Sequence, residues 1–435
     1  MFNLKYNFLV IIQIIVGILN SVLIMRVFGV SVYSDAYLLA ISIFSVFCLI
    51  LLMPIDQFMQ FYNELKVTSL KKSHDFYNCA LIFSLFAGII CCLIFHLGLG
   101  LIIKLFTLNI DSQRFEILKH LLAILTCGLV FYPVNGVNER LLNAEMRFSI
   151  PYILVIIPNL LVVLAQIFMI INHYTNIYYL AYAQALGLFF VSLFGSIYIS
   201  KTLIRFKFVG WQDYMTKFIK NSMIMQFGNS FWTITIPIIF NNFLVTFPQG
   251  YVSYFYYARK ILDIANNFSI GPSKNILRSK ISKFVSKCDV ESIKKVSKSF
   301  LLWGGLVFLV TVIIAYFVQG PIIALISANK LTKLDLRMIA LLFLSLSPWY
   351  FIIFLETPYV CVNIQSKKAK TVLFINLSFL IIFASLLPIF RQSFGIYALA
   401  VSLVVAQILN FICHKVVANK ALQQLLIINK EYSDD

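Results

Sequence analysis

Residues 250–272 read GYVSYFYYARKILDIANNFSIGP, and whether this stretch crosses a membrane decides the topology of the whole chain. It is long enough, because a helix rising about 1.5 Å per residue needs about 20 residues to span a hydrocarbon core about 30 Å thick. Its charges argue the other way. Arg259, Lys260 and Asp263 stand in its middle, and a charge at the bilayer centre costs roughly 2.5–3.5 kcal/mol on insertion scales. The segment that follows, 274–298, breaks the tie. It carries Lys274, Arg278, Lys280, Lys283, Lys287, Lys294, Lys295 and Lys298. Cytoplasmic loops hold the excess of Lys and Arg, and without the span this most basic connection would lie outside.

Outward from that stretch, apolar runs recur along the whole sequence, near 8–28, 36–55, 79–103, 120–138, 150–172, 178–200, 221–243, 250–272, 300–326, 338–362, 371–390 and 394–413. The chain is 61% hydrophobic and 12% charged, whereas soluble domains are about one quarter charged. These runs predict an all-α polytopic membrane protein with about twelve transmembrane helices. The formal charge of +18 lies in short clusters between the runs, so it reports topology and gives no basic face for nucleic acid. Most of the 35 Lys and Arg fall in alternate loops and at both ends, which places both termini in the cytoplasm. Lys5 before the first run imitates a signal peptide, but the run continues to Arg26 with no small-residue cleavage site and reads as the first span. Cys48, Cys91, Cys92, Cys127 and Cys361 lie inside apolar runs without metal spacing and read as small packing residues. No cofactor or metal is expected.

The two halves match at an offset of about 218 residues. Ala40 and Pro54 correspond to Ala258 and Pro272, Asn143 and Arg147 to Asn363 and Lys367, and Asn159 to Asn376. With six spans per half, both halves begin on the cytoplasmic side, which makes a parallel repeat related by a pseudo-two-fold axis along the membrane normal. The expected organisation is an N-terminal lobe over 1–207, a basic cytoplasmic linker over 208–220, a C-terminal lobe over 221–414 and a cytoplasmic tail over 415–435.

Three stretches, MRVFGVSVYSDAYLLA (25–40), LLNAEMRFSIPYILVIIPN (141–159) and SYFYYARKILDIANNFSIGPSKNILRSKISKF (253–284), resemble the signatures of the MurJ/MviN lipid II flippases of the multidrug/oligosaccharidyl-lipid/polysaccharide exporter superfamily. The resemblance covers roughly residues 1–415. It implies a V-shaped, two-lobed, alternating-access transporter that carries an undecaprenyl-pyrophosphate-linked glycan from the cytoplasmic to the outer leaflet of a bacterial inner membrane. The family pattern has an arginine pair and an acid in the second span, where this chain reads IFSVFCLILLMP (43–54) with no charge. It also has fourteen spans, two more than here. These departures leave open an O-antigen, capsule or exopolysaccharide repeat-unit flippase. More distant alternatives are a cation-coupled drug exporter and a non-transporting scaffold for glycan-synthesis enzymes.

Arg26 and Asp35, at the end of the first span and the start of the second, match charged positions of the family pattern. They read either as a substrate-binding pair or gate, or as interfacial charges. Arg259 lies one turn before Asp263, and Lys260 three residues before it, both within reach on a helix. If Arg259 begins eight residues into its span it lies about 12 Å deep. One acid cannot neutralise two bases, and the surplus positive charge suits a pyrophosphate, for which arginine offers a planar fork. Tyr254, Phe255, Tyr256 and Tyr257 beside this cluster offer stacking surfaces for sugar rings. Glu356 beside Pro358 reads as an ion or proton site, or as a neutral carboxyl at a kink. Glu139 with Arg140, and Asp56 with Gln57, read as interfacial pairs near an inner gate. No GxxxxGK, HExxH or GxSxG motif is present, so no enzymatic chemistry is expected.

Overall fold

The computed structural model describes residues 4–431 except Asp56, Phe148, Ile270, Ser286, Lys287, Ala328, Asn329 and Lys367. The sequence readings that fall on Asp56, Lys287 and Lys367, and on the side chains of Pro272 and Lys283, lie outside the described residues. All regular structure among the described residues is helical. The order is α1 (Leu4–Phe28), α2 (Val32–Leu52), α3 (Phe58–Thr68), α4 (Leu70–Leu97), α5 (Leu99–Phe106), α6 (Ser112–Thr126), α7 (Tyr132–Ala144), α8 (Ser149–Ile171), α9 (Tyr178–Thr202), α10 (Asp213–Leu244), α11 (Tyr251–Ser269), α12 (Gly271–Val285), α13 (Val290–Ser299), α14 (Gly305–Ser327), α15 (Lys333–Gln365), α16 (Ala369–Phe394) and α17 (Ala398–Glu431).

Every apolar run of the sequence coincides with one of these helices or with two in succession. Seven helical stretches among the described residues are long and apolar enough to cross a membrane. An eighth joins α6 to α7 through a 40° bend. Pro133 sits in the first turn of α7, where its missing N–H costs nothing. One of the seven, Lys370–Ile427, has 58 residues, and at 1.5 Å each it would extend roughly 87 Å, far beyond one crossing. Gly395, with φ +55°, breaks it into α16 and α17. On α14, Leu306, Leu309, Val310, Ile313, Ile314 and Phe317 are all exposed, an apolar surface suited to lipid and not to water. Of the cysteines, Cys48 and Cys361 are buried as expected, but Cys127 is exposed.

The chain forms two compact units, residues 1–253 with 326–330, and residues 254–325 with 331–435. In the first, α8 packs against α1 and α9. Gly187 of α9 lies so close to Pro158 of α8 that a Cβ would come within 2.5 Å of the proline Cα. Small residues permit such approach where helices associate without a hydrophobic drive. An aromatic core holds the connecting helix α3: Phe58 stacks on Phe76 at 5.1 Å, and Phe76 meets Phe218 of α10 edge-on at 5.1 Å. At the end of α7, Glu145 accepts hydrogen bonds from Tyr62 at 2.7 Å and Lys66 at 2.6 Å. Burial pushes the Glu145 carboxyl up, but these two bonds outweigh it and hold the group below its ordinary range. In the second unit, α15 packs along α17, which also carries α16.

Two outcomes follow from this packing. Gly187→Ala should lose about 1–3 kcal/mol through backbone overpacking, whereas Gly17→Ala, with open space around its Cβ, should not; unfolding in detergent separates them. Because the folded Glu145 titrates below its unfolded value, its contribution is complete above the ordinary carboxyl range, about pH 4.3, and is lost as pH falls through the lower folded value. Lys66→Met should flatten that part of the stability–pH curve, with an effect below about 1 kcal/mol for so exposed a pair.

Candidate functional site

In the first unit, Ser31 starts α2 through a capping box with Ser34, which sets Asp35 one turn inside the helix on its buried face. Asp35 is 0% exposed. Its Oδ2 accepts the Gly250 N–H at 2.7 Å, and its Oδ1 accepts the Ser253 N–H at 2.8 Å and the Ser253 hydroxyl at 2.5 Å. These are donors at the first turn of α11, so Asp35 caps that helix from a distant part of the chain. Gly250, at φ +95°, provides the left-handed turn that presents them. The Arg114 Nη1 lies 3.8 Å from the Asp35 Oδ2. Arg114, 4% exposed, bonds Asp111 through Nε and donates through Nη2 to the Val245 carbonyl at 3.2 Å and the Phe247 carbonyl at 3.4 Å. Asp111, the N-cap of α6, is raised by partial burial, but its bonds from Arg114 prevail and keep it below its ordinary range. Arg26 is exposed on α1 and does not meet Asp35, whose cationic partner is Arg114.

In the second unit, Arg259 and Asp263 form the expected pair along α11, with Nε 3.9 Å from Oδ2. Tyr350 of α15 donates to the Asp263 Oδ1 at 2.5 Å, and Arg259 in turn bonds the Tyr350 oxygen. Lys260, the next residue round the helix, is exposed. Tyr254, Phe255 and Tyr257 are buried, which removes them as stacking surfaces for a sugar. Tyr254 instead bonds Asp335, the acid of the α15 capping box.

Glu356 is buried at 7% exposure, inside a polar network of the same unit. Its Oε1 accepts from Asn410 at 3.1 Å and lies 3.4 Å from the His414 Nε2. Its Oε2 accepts from Gln407, whose own oxygen accepts the Trp349 indole N–H at 3.1 Å. The sequence reading missed Arg114, Ser253, Tyr350, Gln407, Asn410 and His414. For the last three a signal existed, since positions 407, 410 and 414 recur on one helical face within an apolar run.

Helices of this length, apolar outside and carrying buried ion pairs and polar networks within, define a polytopic membrane protein. The fold is that of the multidrug/oligosaccharidyl-lipid/polysaccharide exporters. The chain is similar to an inward-facing MATE family multidrug transporter of that superfamily (TM-score 0.70, 14% identity, 98% of this chain and 95% of the other) and to the MATE multidrug transporter DinF-BH (0.66, 15%, 94% and 92%). It is also similar to the lipid II flippase MurJ in an inward closed conformation (TM-score 0.77, 17% identity, 100% of this chain and 93% of the other). No functionally curated protein matches the sequence. The family model for the lipid II flippase MurJ matches residues 24–433, and the chain belongs to that family.

The Asp35 cluster is testable on its own. Arg114→Met leaves a buried carboxylate without its cation, so it should cost about 3–5 kcal/mol. The same change should cost less in an Asp35→Asn background, and a double-mutant cycle by unfolding in detergent measures the coupling.

Proposed function

We propose that this protein moves an undecaprenyl-pyrophosphate-linked, lipid II-like glycan from the cytoplasmic to the outer leaflet of a bacterial inner membrane. The observation that carries the reading is the match to the lipid II flippase family over residues 24–433. In this reading the chain crosses the membrane twelve times in two six-helix lobes, with both termini cytoplasmic, and alternating access exposes the glycan while its polyprenyl tail stays in lipid. Lys260 and Arg26, both exposed, are the cations offered to the pyrophosphate. Arg259, drawn back by Asp263 and Tyr350, holds the charged turn of α11 in place and shares the phosphate field. Asp35, fully buried and capping α11, serves closure and not direct contact. A potential negative inside, worth about 2.3 kcal/mol per charge per 100 mV, favours outward passage of an anionic headgroup.

The uncharged stretch 43–54 of α2 favours a second reading, an O-antigen or capsule repeat-unit carrier, since a smaller cationic contribution suits a less acidic headgroup. Reconstitution of the full chain into liposomes with fluorescent lipid II, or with an O-antigen-type precursor, decides between them. The first reading expects lipid II to become accessible on the far leaflet at a rate that Lys260→Met lowers at least tenfold, the equivalent of one charge-assisted hydrogen bond at about 1.5–3 kcal/mol. Asp263→Asn should do the same while the protein stays folded. Flipping of neither lipid would sink the transport reading, and wild-type rates in both variants would remove these residues from the site.

A further inference from the structure

The network around Glu356 contains the one buried acid of the described membrane helices that has no permanently charged cation in contact. Its state can be deduced from hydrogen-bond complementarity. The His414 Nδ1 faces the Asn363 Nδ2 at 3.3 Å, and that amide also donates to the His414 carbonyl at 3.0 Å. An amide N–H₂ only donates, so Nδ1 accepts and the ring proton sits on Nε2. Nε2 points toward the Glu356 Oε1 and the Asn376 Oδ1, each at 3.4 Å. The carboxylate therefore accepts from two neutral donors, Gln407 and Asn410, with the neutral His414 ring 3.4 Å away, and the cluster carries one net negative charge. The charged group that acts on Glu356 from a packed element is Lys274 on α12, at a distance; the α16 contact, Asn376, is neutral. A carboxylate buried among helices with no cation in contact is costly, which makes cation uptake favourable. A hard metal ion needs a cage of several oxygen ligands, whereas two groups now on the carboxylate are N–H donors.

A proton needs no such cage, and two features are prepared to receive it. The Asn363 and Asn410 Oδ1 atoms are buried and accept no hydrogen bond from any described residue. Asn363, 0% exposed, adjoins the imidazole, and Asn410, 5% exposed, adjoins the carboxyl. Half a turn of the Asn363 amide would present its oxygen to a newly protonated Nδ1, at the expense of its donation to the His414 carbonyl. Half a turn of the Asn410 amide would present its oxygen to a newly protonated carboxyl. The orphan acceptor beside the protonated group, costly in the present state, thereby gains a donor.

We propose that Glu356 and His414 form a proton-binding site inside the second unit, taking one proton from water onto the His414 Nδ1 or the Glu356 carboxyl and turning the cluster from net negative to neutral. The step forms one N–H or O–H bond and breaks one O–H bond of hydronium, which leaves as water; the other changes are in hydrogen bonds. It does not depend on which lipid the protein carries, because the test reads proton occupancy and not flipping.

The test uses the full chain in lipid nanodiscs with nitrogen-labelled histidine, His414 being assigned by difference from His414→Gln. Magnetic resonance from alkaline to acidic pH should show the Nε2–H tautomer giving way to the imidazolium in folded protein. Alternatively, infrared difference spectra should show a carboxyl band growing with acid and absent from Glu356→Gln. In the first case Glu356→Gln should weaken proton binding at His414 tenfold or more, as loss of a contacting charge does. A wild-type protein that remains folded while neither group titrates would overturn the proposal. So would a His414 titration unchanged in Glu356→Gln without a carboxyl band. The infrared measurement on the wild type alone decides if that variant fails to fold.

Discussion

Hydrocarbon offers no hydrogen bonds, so each polar side chain carried into it by a helix must find its partner on the protein. The polar centres around Asp35 and Glu356 are two solutions of that constraint. Asp35 is satisfied completely: three donors from the first turn of α11 and the guanidinium of Arg114 converge on it, and the same guanidinium closes on the Val245 and Phe247 carbonyls. A helix start, a connection and a second helix are thereby fixed by one carboxylate. Packing alone would not select this arrangement, because apolar contacts with neighbouring helices differ little in energy from contacts with lipid. Close approach of small residues, such as Gly187 on Pro158, and satisfied polar groups do the selecting.

The helices were legible because apolar length is a coarse signal repeated many times, and each run found in the sequence is helical in the structure. α11 shows where that signal stops. Its three charges keep it from passing as an apolar span, and only the basic segment behind it argues for a crossing. The Arg259–Asp263 pair was legible too, since both partners lie on one helix and four residues apart is one turn. Partners from different helices were not. Nearness in sequence pairs Asp35 with Arg26, yet the cap at Ser31 turns Asp35 inward while Arg26 stays exposed. Its true partner, Arg114, comes from α6, and no local spacing announces it. Gln407, Asn410 and His414 lie between these cases. Their shared face could be read, but what they face could not.

Consecutive bases on a helix start in different directions, since neighbours point about 100° apart. Arg259 is drawn to Asp263 and Tyr350, and Lys260 is left exposed beside it. The family resemblance and the chemistry of a pyrophosphate both call for cations, but the geometry divides the pair into one that shapes α11 and one that is available at its surface.

The same charge accounting distinguishes the acids. Asp35 has Arg114, Asp263 has Arg259, and Glu145 has Lys66. Each of these acids lies within 3.9 Å of a lysine or arginine nitrogen. Glu356 is matched instead by a histidine that is itself neutral when its Nδ1 accepts from Asn363. An acid held by a lysine or arginine braces a fold through one ion pair, and a second charge state would break that pair. An acid paired with an imidazole, next to two amide oxygens without partners, has such a second state, and that difference in partner is what separates the brace in the first unit from the exchangeable site in the second.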